Sequence, residues 1–504
     1  MATITTLPVS SRTKRLARLG NEPAEVWGCT VLALCLLGYH PAAEDGGIYS
    51  AALAARLHPS LFPAEDGFAV AHTALGLFVP LLAVLVRTLH LSLNAVLLLA
   101  YIATVALTVA GAQRVLQALY PQAAVQRASL LLFAAALGMP IAGTSLYLAD
   151  PYLTARSFST PLLLFGSAFL LRDRWKACAW CLLVALLFHP MMTAWAAPVL
   201  GALLTLRSRK PIRNTALLGT AIFGTMALVQ WFGPVDAPAM RAASLSRDYW
   251  FPSQWAWYEL LGLFAPPALL LLLANMPASD WLTERAKQLA TATAVGTLTT
   301  AAAACCFLHM SNRSLLLARL QPLRLLHFVY CIFLLLGGGA LASLPWRPLR
   351  WITTGVAAIS LLLMQRQLYG SSGHFEWPGQ TPRNNYQQAF LWIRDNTPVD
   401  ALFALDADYT RSPGEDAQLF RAIALRSSLP DAAKDGGIAS VMPSLAPEWA
   451  RVSAAQRALA SLTDAERLAH LQPFGATWIV LPATSQTGFA CPYRNPAVQV
   501  CRLR

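Results

Sequence analysis

The chain has 504 residues, 56% of them hydrophobic and 12% charged, with a mean hydropathy of +0.48. Soluble domains carry about 25% charged residues, so this composition excludes a soluble globular protein and points to a polytopic membrane protein. The net charge of +13 comes entirely from the first 369 residues, with twenty-six Lys/Arg against thirteen Asp/Glu; residues 370–504 hold twelve of each. Basic residues scattered among apolar segments suit topology-setting and contact with anionic lipid, and they argue against a nucleic-acid partner.

At the N-terminus, Arg12, Lys14, Arg15 and Arg18 precede the first apolar segment, 26–39. The pattern reads as a retained signal anchor, with residues 1–25 in the cytoplasm. Directly after it comes Glu44-Asp45-Gly46-Gly47-Ile48-Tyr49. An acidic pair at the mouth of a membrane helix is costly unless it faces water or has work to do. Two readings apply, and both can hold. The pair supplies a reacting carboxylate, with Gly46-Gly47 letting substrate approach the backbone. Alternatively, it caps a helix running from Ile48 to Leu57.

Further apolar segments run over 70–89, 92–118, 128–146, 158–171, 177–189, 190–206, 214–232, 256–274, 289–309, 322–342 and 351–368. The basic clusters Arg172-Asp173-Arg174-Trp175-Lys176 and 207–213 should be cytoplasmic, as should Arg285 with Lys287 and Arg347 with Arg350. All four agree only if 70–89 does not cross. That segment contains His72, Pro80 and Arg87, and follows Glu65 and Asp66. Residues 40–91 are therefore expected to form one external loop with an interfacial helix. About eleven crossings remain. The segments 177–189 and 190–206, joined at His189-Pro190, are short for the ~20 residues a span needs.

The external loops carry the remaining candidates. Arg156, near Asp150 and Tyr152, suits a phosphate or Asp45 as partner; the bland alternative is interfacial snorkelling. Arg241 and Arg247 lie among interfacial aromatics. Arg324 begins a membrane helix with no acid nearby in sequence, and with Arg319 suits a phosphate or a distant carboxylate; the bland alternative is snorkelling at the outer end. His189, at the turn between two short helices, suits a sugar or phosphate contact or a hydrogen-bonded turn.

Residues 370–382, rich in Gly, Ser and Pro, read as a linker to an extracytoplasmic α/β domain over 383–504. Helical spacing covers 386–396, and strands are expected at 401–405 and 477–481. Cys491 and Cys501 flank Pro492-Tyr493-Arg494-Asn495-Pro496 and can close a hairpin by a disulfide outside the cytoplasm. The other seven cysteines lie in apolar segments and read as packing residues, Cys178-Ala-Trp-Cys181 included. Lys434-Asp435-Gly436-Gly437 and Asp406-Ala407-Asp408 read as solvated turns. No His/Cys metal cluster, phosphate-cradling Gly-rich loop or nucleophile elbow is present in the sequence.

An acidic pair after the first helix, a long loop with an interfacial helix, 116–120 closing a helix before Pro121, and Trp392-Ile393-Arg394-Asp395-Asn396-Thr397-Pro398-Val399-Asp400-Ala401-Leu402-Phe403 opening the tail form a recognisable layout. It resembles the GT-C superfamily of membrane glycosyltransferases, and uncharacterised bacterial membrane proteins of that architecture. The resemblance implies a membrane all-α bundle over 26–369 with a small C-terminal α/β domain. It also implies an inverting glycosyltransferase with a polyprenyl-phosphate-linked sugar donor and an acceptor met at the outer face of the bacterial inner membrane. Asp45, then Glu44, would serve as base, and Arg156, His189, Arg241, Arg247, Arg319 and Arg324 would hold the phosphate. No metal or other cofactor is implied by the residues. The family's acidic pair is often Asp-Glu or Asp-Asp; here it is Glu-Asp. A transporter or lipid-handling protein would show inverted repeats and midplane charges, and neither is evident. A non-catalytic scaffold of the same fold is the other alternative.

Overall fold

The computed structural model of the chain describes residues 11–503, apart from 65, 66, 75, 278, 280, 408, 412–415 and 417. For residues 11–21, 347 and 411 only the backbone is described, so the side chains of the basic N-terminal residues, with Glu65, Asp66 and Asp408, lie outside the described residues.

The first part of the chain is helical. Among the described residues, five helices are long and apolar enough to cross a membrane: Leu93–Leu119, Pro211–Phe232, Trp257–Asn275, Glu284–Phe307 and the stretch Leu316–Ser343. The protein is thus a membrane protein, but the expected count of about eleven spans is corrected. Several apolar segments form helices below the ~20 residues that span a bilayer. Trp175–Phe188 has 14 residues, and Ala155–Leu171 and Pro190–Leu206 have 17 each. The segment 128–146 is helical only as part of Ala123–Ala135, because the chain then turns into the short antiparallel pair Pro140–Ile141 and Leu146–Tyr147. The segment 70–89 is likewise broken, into Phe68–Ala71 and Phe78–Leu89.

Packing among these helices uses small residues. Glu284–Phe307 buries Ala286, Ala290, Ala294 and Gly296, and a Cβ on Gly296 would come within 3.0 Å of Pro198 backbone. Such close approach lets dispersion hold helices together where lipid removes the hydrophobic drive.

Residues 385–503 form a mixed sheet with flanking helices. Its strand order is Ser427–Ser428, Leu402–Leu405, Trp478–Pro482, Val498–Arg502, Tyr493–Arg494, the first three parallel and the last two antiparallel. Asn385–Asn396 packs Tyr386, Phe390 and Ile393 on one face, against Phe403 and Phe420. Thr397 follows as its extended C-cap, before Pro398 ends any continuation. Cys491 and Cys501 are bonded and tie the chain before Tyr493–Arg494 to the last strand.

Two isolated bridges sew the two parts together. Tyr39 pairs with Phe375 and Ala43 with Gln418. His40 stacks on Tyr369 at 4.0 Å and its Nδ1 lies 2.7 Å from Glu376, so the mouth of the first helix is held from both sides.

Candidate active site

The acidic pair starts the helix Glu44–Leu57 rather than preceding it. The expected helix start at Ile48 is therefore corrected. Asp45 is also not the cap: that position is Ala43, with no side-chain cap. Both carboxylates sit in the first turn, where the helix dipole favours negative charge. Glu44 has φ of +47°, so the chain turns sharply there.

Gly46 and Gly47 are filled by protein, which corrects the expectation that they admit substrate. A Cβ on Gly46 would lie 2.8 Å from the Tyr152 side chain, and one on Gly47 would lie 2.5 Å from Leu419. The two glycines seat the acidic turn against the 150s loop on one side and the C-terminal part on the other. Ser50 Oγ adds bonds to the carbonyls of Gly46 (2.8 Å) and Pro41 (3.1 Å).

Three cations face the pair. Arg156 Nη1 lies 3.5 Å from Asp45 Oδ2, and its Nη2 donates to Asp150 Oδ2 at 2.8 Å. Arg156 and Asp150 are almost fully buried, so they form an internal ion pair that also touches Asp45. Lys434 contributes from the C-terminal part. Its Nζ donates to Glu44 and lies 3.2 Å from Asp45 Oδ1. The third is Arg324, whose Nε donates to Gln321 Oε1 at 2.6 Å. Arg324 is near enough to Asp45, Arg156, Tyr49 and Tyr249 to feel their charge, yet it has no carboxylate partner among the described residues.

Asp45 keeps 35% of its side-chain surface open, so its carboxylate is reachable from solvent. Burial pushes its carboxyl pKa up, but the Lys434 ammonium and the Arg156 guanidinium outweigh that and hold it well below the usual range. Lys434 is shifted upward: burial disfavours its charge, and Glu44 and Asp45 more than restore it. Asp150 is pushed up by burial, only partly offset by Arg156.

Lys434 escaped the sequence reading, where its turn looked solvated. The turn is in fact built. Asp431 Oδ1 accepts from Ala433 N (2.7 Å) and Lys434 N (2.8 Å), and Asp435 accepts from Arg421 at 2.7 Å. Trp449 Nε1 donates to the Asp431 carbonyl at 3.2 Å. Arg247 Nη2 donates to the Ala433 carbonyl, so this arginine braces the turn that presents Lys434. Asp406 is not solvated either: it is buried, and its Oδ2 accepts from Ala460 N at 2.9 Å.

The remaining candidates divide. His189 is the N-cap of Pro190–Leu206, its Nδ1 accepting from Met192 N at 3.3 Å, and it lies within electrostatic reach of Arg324 and Arg156. Arg241 and Arg319 are engaged elsewhere. Arg241 donates to the carbonyls of Asn312 (2.5 Å) and Met310 (2.8 Å), bracing a turn. Arg319 is buried against Asp236 at 2.6 Å. Among the described residues, no group of three or more His, Cys, Asp or Glu is placed to hold a metal ion.

The fold has likenesses among solved structures of archaeal oligosaccharyltransferases. One is an Archaeoglobus fulgidus oligosaccharyltransferase tethered to an acceptor peptide containing the NVT sequon, at 12% identity and a TM-score of 0.48, over 91% of this chain and 69% of that one. Another is AglB from Archaeoglobus fulgidus in complex with an inhibitory peptide and a dolichol-phosphate, at 10% identity and a TM-score of 0.45, with the same shares covered. No protein-family model matches the chain, and no curated protein sequence does.

Proposed function

We propose that the chain is an inverting glycosyltransferase that moves a sugar from a polyprenyl-phosphate-linked donor to an acceptor at the outer face of a bacterial inner membrane. On this reading the N-terminus is cytoplasmic and the sheet-containing part external. The observation that carries the reading is a solvent-reachable carboxylate, Asp45, between Arg156 and Lys434, with Arg324 nearby and without a carboxylate partner among the described residues. That is the charge pattern a displacement at a sugar phosphate requires: an acceptor for one proton and cations for the departing phosphate.

In the reaction the acceptor hydroxyl oxygen attacks the anomeric carbon. The bond from that carbon to the donor phosphate oxygen breaks, and the phosphate leaves with the electron pair. The acceptor proton passes to Asp45. With both cations on it, Asp45 is a poor base, because an effective base has a pKa nearer the working pH. A donor phosphate competes for Lys434 and Arg156 and so raises the basicity of Asp45 as it binds. Arg324 supplies the phosphate with a cation that no acid among the described residues has claimed, and His189 lies within its electrostatic reach. Arg247 acts through Lys434, and Arg241 and Arg319 are left outside the site.

A scaffold role is the second reading. It is favoured by the saturation of Asp45 and Glu44, which already join the helical part to the sheet-containing part through Lys434. The test is transfer from a panel of polyprenyl-phosphate sugars by wild type and Arg324→Gln. The enzyme reading expects transfer by wild type and a KM for donor raised about tenfold or more in the variant, the loss expected for a charge-assisted contact to phosphate. Absence of transfer with every donor by folded wild type supports the scaffold.

A further inference from the structure

Behind the acidic helix, away from Lys434, lies a cavity of about 890 Å³. Ser50, Ala54 and Leu57 of that helix form one wall, and the 373–383 segment forms another. Neither Asp45 nor Glu44 lines it. The volume falls in the range of small-molecule and cofactor sites.

Its polar lining favours an anion. Arg366 and Arg383 line it, and neither has a carboxylate partner among the described residues. The acid in the lining, Glu376, is already taken by His40 and Gln387. Leu93 and Asn94, the first residues of the 27-residue helix Leu93–Leu119, also line it, so the positive end of a helix dipole faces the space. Tyr39 and Gln387, 1% and 4% exposed, line it too.

Its apolar lining favours a lipid. Val86 and Leu91 line the cavity, and the neighbouring Leu89 and Leu99 are each 54% exposed. Leu93–Leu119 is a membrane-span candidate, so its N-terminus marks a bilayer surface. Trp377, 47% exposed and stacked on Phe375 at 5.5 Å, offers an amphipathic ring at that level.

We propose that this cavity binds an anionic, phosphate-headed amphiphile. The phosphate would lie between Arg366, Arg383 and the start of Leu93–Leu119, and the chain would leave along Val86 and Leu91. The site is separate from the chemistry proposed at Asp45.

The test uses full-length protein, delipidated in neutral detergent and titrated with phosphatidylglycerol or phosphatidylcholine while bound lipid is counted by native mass spectrometry. One phosphatidylglycerol should be held at least about tenfold more tightly than phosphatidylcholine, a difference set by headgroup net charge. The variant Arg366→Gln/Arg383→Gln should lose that preference, and the control Arg87→Gln, outside the cavity lining, should keep it. Displacement by glycerol phosphate would overturn the lipid and assign the cations to a soluble phosphate. Equal retention of both lipids, or an unchanged preference in the double variant, would overturn the site.

Discussion

Lys434 reaches Asp45 across 389 positions of sequence, its Nζ 3.2 Å from the carboxylate Oδ1. Arg156 lies 3.5 Å from the other oxygen. The carboxylate is clamped between two cations from different parts of the chain, and its proton affinity depends on both.

The first prediction concerns pH. Asp45 has a lowered pKa in the free protein, so the acid limb of kcat/KM, which reports the free enzyme, should lie below the ordinary carboxylate range. Lys434→Gln removes the first counter-charge, and the limb should move to higher pH. Transfer rates measured against pH for both proteins check this; a limb that does not move shows that Asp45 is not the titrating base.

Arg156 and Asp150 form a buried pair that is expensive to break from one side. Arg156→Met leaves Asp150 unpaired and should destabilise by about 3–5 kcal/mol. Adding Asp150→Asn should recover part of the loss. A thermal-unfolding cycle over the four proteins measures the coupling, and strict additivity would deny the pair.

Gly47→Ala should loosen the seam between the acidic turn and the C-terminal part. Its Cβ would meet the Ala42 carbonyl at 2.6 Å as well as Leu419. Overpacking of this kind costs about 1–3 kcal/mol. Gly224→Ala, with nothing within 4 Å of the new Cβ, is the control and should leave the Tm unchanged or slightly higher.

His72 gives a pH dependence of the same sign as a paired carboxylate, but in a higher pH window. Burial pushes its pKa down from 6.5 to about 4, so the folded protein holds it neutral where the unfolded chain is protonated. Stability should therefore fall as pH drops from about 6.5 towards 4. The lowered pKa of Asp45 acts only below the ordinary carboxylate value, because its contribution persists until pH falls towards that pKa. Unfolding midpoints for wild type and His72→Gln between pH 7 and 4 should show a flatter limb in the variant.

Local chemistry made some of this legible from sequence. Asn385–Asn396 and the strand Leu402–Leu405 follow from helical spacing, the Asn396-Thr397-Pro398 stop and an apolar run. Asp45 stood out because an acidic pair after an apolar run demands a reason. Lys434 did not, because Lys434-Asp435-Gly436-Gly437 looks like any polar turn until Asp431, Arg421 and Arg247 are brought around it. Gly46 and Gly47 invited a reading as open backbone, and only the fold shows Tyr152 and Leu419 packed there. The span count failed for a related reason. Hydropathy marks Ala155–Leu171 and Trp175–Phe188 as apolar, but their lengths are set by turns that depend on tertiary contacts such as Arg207 Nη1 on the Leu170 carbonyl at 2.7 Å.

The central claim is that Asp45 takes the acceptor proton, and the direct measurement is the transfer rate of Asp45→Asn beside wild type with the same polyprenyl-phosphate sugar. Wild-type protein should transfer the sugar, and the variant should be slower by about a hundredfold or more at an undiminished protein level. Full activity in Asp45→Asn would contradict it.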